Sequence, residues 1–311
     1  FKLFFLDLNM EPIKIVFLGT GSAIPTITRN HTSIFLKYKD RNILVDCGEG
    51  TQRQIRKAKI NPRKITDILI THFHGDHVFG LPGLLHTLSQ LNYNKVLNIY
   101  GPKGINEFIK KIFNFAEIKI PVNITEVVSK VIETNDFKIT AFPLKHDISC
   151  NGYRFEEKDI LRIKKEKFEK LIKKLKINSR ELNKISNLLK RKDIMMNKRI
   201  LKWNELTYLE KGRKIGFVLD TELCDNVGKT VKNTELAIIE AAFLESENIN
   251  RKYKHLTLEQ AVRAAKSSKV KQLVLTHISQ RYEFKENELL KKARKIFHNT
   301  KIARDFMEVE I

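Results

Sequence analysis

Cysteine is scarce in this chain. Cys47, Cys150 and Cys224 are the only three in 311 residues, widely separated and without Cys-x-x-Cys spacing. An odd, scattered set supports neither a disulfide framework nor a thiolate zinc finger, and predicts free thiols in a reducing compartment. Long apolar runs are missing as well. No stretch reaches the roughly 18 residues needed to span a bilayer. The opening Phe1-Lys2-Leu3-Phe4-Phe5-Leu6 has no basic leader region and no small-residue cleavage site. A cytoplasmic protein without a membrane partner is expected. Met10 directly precedes the first strand signal, so residues 1–9 are expected to be an N-terminal extension. Acidic residues are in deficit, 36 Asp and Glu against 58 Lys and Arg, which leaves a net charge of +22. A surplus of that size favours polyanions such as nucleic acid as partners.

What is present reads as a globular α/β chain, with 42% hydrophobic residues, enough for a sizeable core. Periodicity predicts strands over 13–18, 32–37, 43–46 and 67–70, with a helix over 51–59. Helices over 83–91 and 104–115 follow, then strands over 122–128, 131–133 and 137–143. From residue 214 the alternation resumes: strands over 214–219, 236–240 and 271–275, and helices over 223–231, 257–267 and 285–297. Strand and helix alternating in both halves suggests two sheets covered by outer helices. Between the halves, residues 156–213 hold 19 Lys and Arg against 9 Asp and Glu, nearly half of the net charge. Phe168, Leu171, Ile172 and Leu175 recur at helical spacing, as do Leu182, Ile185, Leu188 and Leu189. Asn178 and Glu181 have the spacing of a helix cap, so a helical hairpin turning near Ile177-Asn178 is predicted. With Lys164, Lys165, Lys173 and Lys174 among its cations, this insert reads as a polyanion-binding arm.

The sharpest local signal is Thr71-His72-Phe73-His74-Gly75-Asp76-His77. In an extended segment residues i and i+2 point the same way, so His72 and His74 can face one ion. Asp76 and His77 follow Gly75, where the backbone can turn, and can face a second ion. Imidazole and carboxylate suit Zn²⁺, with Mn²⁺, Fe²⁺ or Co²⁺ as competitors. Two ions need further ligands, and His146, Asp220 and His277 each follow or end a predicted strand.

In this order these residues resemble the metallo-β-lactamase superfamily and, more narrowly, the ribonuclease Z family. The narrower likeness rests on Gly19-Thr20-Gly21, Pro25 to Asn30, Asp46-Cys47-Gly48-Glu49-Gly50-Thr51, Gly80-Leu81-Pro82-Gly83, Gly152-Tyr153-Arg154, His255-Leu256-Thr257 and His277 to Tyr282. The resemblance implies an αββα sandwich over residues 10–311, interrupted by the arm at 156–213. It implies two Zn²⁺ per subunit, one on His72, His74 and His146, the other on Asp76, His77 and His277, with Asp220 bridging. Asp76 would hold and deprotonate the attacking water, and His255, oriented by Glu240, would protonate the leaving oxygen. Arg29 and Arg281 would contact phosphate or base. The implied activity is an endoribonuclease removing the 3′ trailer from precursor tRNA, the implied assembly a homodimer. Three departures stand out: Ile239-Glu240-Ala241-Ala242 where the family commonly has His-Glu-Ala-Thr, Leu219-Asp220-Thr221 where it has Gly-Asp-Thr, and no Gly-Pro in the arm. A small-molecule phosphodiesterase of the same fold would explain the ligands without the arm. A noncatalytic RNA-binding protein would explain the charge without the ligands.

Overall fold

The structure is a computed structural model, and it describes residues 10–116, 118–175, 184–244 and 253–311. The expected extension at 1–9 and the predicted turn near Ile177-Asn178 lie outside those residues. The described chain divides into two compact units, one formed by 157–212 and the other by 11–156 with 213–311.

The larger unit is built from alternating side chains. In β1 (Lys14–Gly19), Ile15 and Phe17 join one apolar core while Val16 and Leu18 join another. A strand presents successive residues to opposite faces, so a sheet buried on both sides reads as a continuous apolar run. The same division recurs in β2 (Ser33–Tyr38), β3 (Arg41–Val45) and β4 (Asp67–Leu69). With β5 (Leu97–Gly101) and β6 (Val122–Glu126) they form one sheet, antiparallel from β1 to β3 and parallel from β3 to β6. A second sheet begins with β7 (Lys130–Glu133), β8 (Phe137–Leu144) and β9 (Cys150–Glu157).

The smaller unit supplies two antiparallel pairs, the distant β10 (Ile160–Ile163) with β13 (Thr207–Glu210), and the hairpin β11 (Ile194–Met196) with β12 (Arg199–Leu201). Helices Lys165–Leu175 and Ile185–Leu189 accompany them around a separate core of Phe168, Ile172, Leu188, Ile194 and Met196. Helices thus stand where both apolar stripes predict them, the turn between them lies outside the described residues, and the strands that share the segment go unpredicted by that spacing. Asn197 and Lys198 both take positive φ, 46° and 60°, the conformation of a two-residue hairpin turn. Such turns usually carry glycine, and Lys198 hid this one.

The second sheet continues through β14 (Lys214–Val218), β15 (Leu236–Glu240), β16 (Gln272–Thr276) and β17 (Thr300–Ile302), all parallel. Finally β18 (Glu308–Glu310) returns to pair with β1 at the edge of the first sheet. The two sheets share one core, where Tyr38 of β2 meets Phe137 and Phe155 of the opposing sheet edge-on at 5.9 and 5.4 Å. Burying each such ring contributes about 1.5–3 kcal/mol. Helices Leu81–Gln90 and Ile105–Ala116 cover the outer face of the first sheet. Asp225–Val231, Leu258–Ser267 and Glu286–Ile296 cover that of the second. The layers run helix, sheet, sheet, helix, as expected. All three cysteines are free thiols. Among the described residues no helix is long and apolar enough to cross a membrane.

Candidate metal centre

Just beyond β4 the chain stays extended through His72 and His74, then turns into the short helix Gly75–Val78. Two backbone hydrogen bonds tie this segment to the end of β3. Cys47 N–H donates to the His77 carbonyl at 2.8 Å, and Gly80 N–H to the Cys47 carbonyl at 2.9 Å. The approach tolerates no side chain: a Cβ on Gly80 would lie 1.9 Å from the Gly48 carbonyl oxygen. In the second sheet, Asp220, Glu240 and His277 sit at or just beyond the same ends of β14, β15 and β16. His146 follows β8, and His255 precedes helix Leu258–Ser267. That helix starts in a capping box, with the Thr257 hydroxyl accepting from Gln260 N–H and the Gln260 side chain accepting from Thr257 N–H.

The residues singled out in the sequence converge. Donor atoms of His72, His74, His146 and Asp220 lie within 4.8 Å of one another, as do those of Asp76, His77, Asp220 and His277. Asp220 belongs to both sets because its oxygens diverge. Oδ2 faces His72 Nε2 at 3.5 Å and His146 Nε2 at 4.0 Å, while Oδ1 faces His77 Nε2 at 3.3 Å and His277 Nε2 at 3.2 Å. Asp76 Oδ2 closes the second set, 3.2 Å from His277 Nε2 and 3.4 Å from His77 Nε2.

Outward-facing ring nitrogens are held by acceptors. His77 Nδ1 lies 2.6 Å from Asp46 Oδ2, and His146 Nδ1 lies 3.1 Å from the Lys254 carbonyl oxygen. A proton held on Nδ1 leaves the Nε2 lone pair pointing inward, the arrangement of a metal-ligating histidine. Inside the cluster, His77 Nε2 and His277 Nε2 stand 3.2 Å apart, and His74 Nδ1 and His146 Nε2 3.1 Å. His72 Nε2 and Asp220 Oδ1 are buried without a hydrogen-bond partner. Lone pairs facing one another across such distances fit divalent cations between them.

The electrostatics match a cation site. Burial lowers the basicity of His72, helped by the neighbouring His77, and burial likewise lowers that of His146. At His77 burial is outweighed by the Asp220, Asp46 and Asp76 carboxylates, which hold its basicity well above the usual range. Burial acts to raise Asp76 and Asp220. Their histidine neighbours overcome it and hold both carboxyls below the ordinary range. A third set adjoins: His255 Nδ1 is 2.9 Å from Glu240 Oε2 and 3.9 Å from Asp220 Oδ2. Burial lowers the His255 pKa, but the Glu240 and Asp220 carboxylates and the Glu240 hydrogen bond raise it to about 9.

Overall similarity agrees with this geometry. Residues 13–114 match a family model described as Anti-Pycsar protein Apyc1, and residues 204–278 match one described as Beta-lactamase superfamily domain. A ribonuclease Z of Bacillus velezensis is 38% identical over 315 residues, covering 96% of this chain and 99% of that protein. This chain belongs to the ribonuclease Z family. A ribonuclease Z of Methanothermobacter thermautotrophicus is 36% identical, over 96% of this chain and 97% of its own. The crystal structure of human tRNase Z, short form, covers 95% of this chain and 98% of its own at a TM-score of 0.68 and 26% identity. The metallo-β-lactamase fold protein YhfI of Bacillus subtilis, at 18% identity and a TM-score of 0.68, shares the fold, with 97% of this chain and all of its own covered.

Not every ribonuclease Z feature read from the sequence lands at the site. Arg29 is 2% exposed. Its guanidinium donates to the Thr20 hydroxyl at 2.6 Å, the Ala303 carbonyl at 2.7 Å and Glu286 Oε1 at 2.5 Å. The expectation of a phosphate contact is corrected, because the guanidinium is buried on its own partners and half-buried Glu286 offsets its charge. Arg281 is exposed, its guanidinium 5.9 Å from the Phe243 ring, which stands 5.8 Å from His255. Lys164, Lys165, Lys173 and Lys174 are exposed in the smaller unit. In the sequence Asp46 figures only as part of a motif, with no role of its own. It is fully buried with φ 57°, and accepts from Thr71 N–H, the Thr71 hydroxyl (both at 2.7 Å) and His77. Its motif and its place at a strand end mark it, but nothing in the sequence names its partners.

Proposed function

We propose that this ribonuclease Z family member is a dinuclear-metal endoribonuclease that removes the 3′ trailer from precursor tRNA. The reading gives tRNA a 3′-hydroxyl and the trailer a 5′-phosphate. The observation that carries it is Asp220, whose two oxygens serve two separate histidine sets. His72, His74 and His146 would hold one ion, Asp76, His77 and His277 the other, and Asp220 both. Two zinc ions suit these nitrogen and oxygen donors, with Mn²⁺ as the alternative. When bound, the ions supply charge neutralisation at the scissile phosphate and a more acidic water.

The chain's own groups do the proton work. Asp76, kept ionised by His77 and His277 despite its burial, would accept a hydrogen bond from the attacking water and orient it, although the same shift makes it a weak base for the proton itself. His255, with Glu240 fixing its ring, donates to the 3′ oxygen as the P–O3′ bond breaks. Exposed Arg281 would hold the phosphate, and the exposed lysines Lys164, Lys165, Lys173 and Lys174 would supply affinity for the tRNA body. We also assign a homodimer and a cytoplasmic location to this reading.

The experiment is incubation of 5′-labelled precursor tRNA with the protein and Zn²⁺ or Mn²⁺, beside an Asp76→Ala control. One cut next to the discriminator nucleotide, absent in the control, is expected; RNA left intact while bis(p-nitrophenyl) phosphate turns over would favour a small-molecule phosphodiesterase instead. Asp46→Ala is expected to weaken metal retention about 10- to 100-fold, because His77 loses the acceptor that fixes its ring. Chelator competition measures this, and wild-type retention would make Asp46 a purely structural residue.

A further inference from the structure

Phe79 is a large apolar side chain that the fold leaves 67% exposed. Burial of such a ring is ordinarily favourable, so an exposed one at a reactive site invites a partner. Phe79 caps the four-residue helix that carries Asp76 and His77. Its N–H donates to the Gly75 carbonyl at 2.9 Å, and the next residue, Gly80, is anchored to β3 through Cys47. The backbone beneath the ring is therefore fixed by the same contacts that fix the metal-binding segment.

The ring itself lies against Gly75. A Cβ at that position would fall 2.3 Å from Phe79 Cε2 and 2.7 Å from Cδ2 and Cζ, so glycine alone lets the ring settle there. Gly75 sits between His74 and Asp76, one from each metal-ligand set. A flat apolar surface thus stands in water directly over the segment that joins the two sets. The neighbouring Val78 is fully buried, so the exposure belongs to Phe79 and not to the turn as a whole.

We infer that Phe79 is a stacking platform for a nucleobase flanking the scissile phosphate, and so a substrate-positioning residue. The inference rests on the RNA-cleaving reading above. A base is the flat apolar group closest to a phosphodiester in RNA, and stacking on an aromatic ring tolerates any base identity. It would hold the chain in register at the metals without adding sequence preference.

The test compares wild type with Phe79→Ala, Phe79→Leu and Phe79→Trp on precursor tRNA, with bound metal measured in each. Two further substrates carry an abasic residue, one at the discriminator and one at the first trailer nucleotide. Phe79→Ala is expected to lower kcat/KM by about 5- to 150-fold, the worth of one stacked base. Phe79→Trp should stay near wild type, Phe79→Leu should remain impaired, and metal content should not change. The alanine defect should largely vanish on one abasic substrate, because the base it serves is gone. An unimpaired alanine variant, full recovery by leucine, loss of metal, or an equal defect on all three substrates would each overturn the inference. Intact RNA with the wild-type protein would instead refute the tRNA reading itself.

Discussion

Asp220→Ala is expected to lose stable binding of both metal ions and to lower precursor-tRNA cleavage by roughly a thousandfold or more, since several kcal/mol of charge stabilisation disappear. Among the described residues, no other belongs to all three clusters of donor groups. Removing any one histidine takes a ligand from one ion, whereas removing Asp220 takes one from each and deletes the charge between them. The fold should survive, because Val218 and Leu219 remain fully buried on either side of the sheet. Elemental analysis of the purified variant and single-turnover cleavage measure the two effects. Wild-type metal content together with wild-type rate would remove Asp220 from the bridging role. Asp220→Asn separates charge from shape, and is expected to fold as well as wild type while retaining metal poorly.

His255→Ala should lower tRNA cleavage by about 10²- to 10⁴-fold, the usual worth of a positioned proton donor. The loss should depend on the leaving group. A 3′-hydroxyl departs badly without a proton, while p-nitrophenolate departs well, so turnover of bis(p-nitrophenyl) phosphate should be largely retained. Equal losses on both substrates would assign His255 to the metal site instead. Glu240→Gln adds a test of direction. Although burial lowers the His255 pKa, the Glu240 carboxylate is the largest influence raising it to about 9. Without that carboxylate the ring gives up its proton at lower pH, so the alkaline limb of the rate profile should shift downward. An unmoved limb would mean that another group controls it.

The sequence exposed what depends on side-chain chemistry and short-range periodicity. His72 to His77 could be read because their spacing is set by local backbone geometry, and β1, β4, β14 and β15 because a strand buried on both faces is apolar throughout. Long-range partners were harder to see. Arg29 looked like a free cation because the Glu286 that neutralises it is 257 residues away. Asp46 looked like a strand-ending turn residue because its three donors come from Thr71 and His77. In the basic insert, Lys-rich helical spacing masked strands only three or four residues long, too short for the burial of Ile194 and Met196 around exposed Met195 to read as alternation.

The distance along the chain between partners has a consequence for biosynthesis. His77 and His277 touch across 200 residues, and β18, which borders β1, follows later still. A chain still emerging from the ribosome carries the first four donors while Asp220 and His277 have yet to be translated. It can neither pair β1 with β18 nor complete either donor set. A copy that stops short of Asp220 thus lacks the residue common to those sets, even though translation surrounds that copy with tRNA.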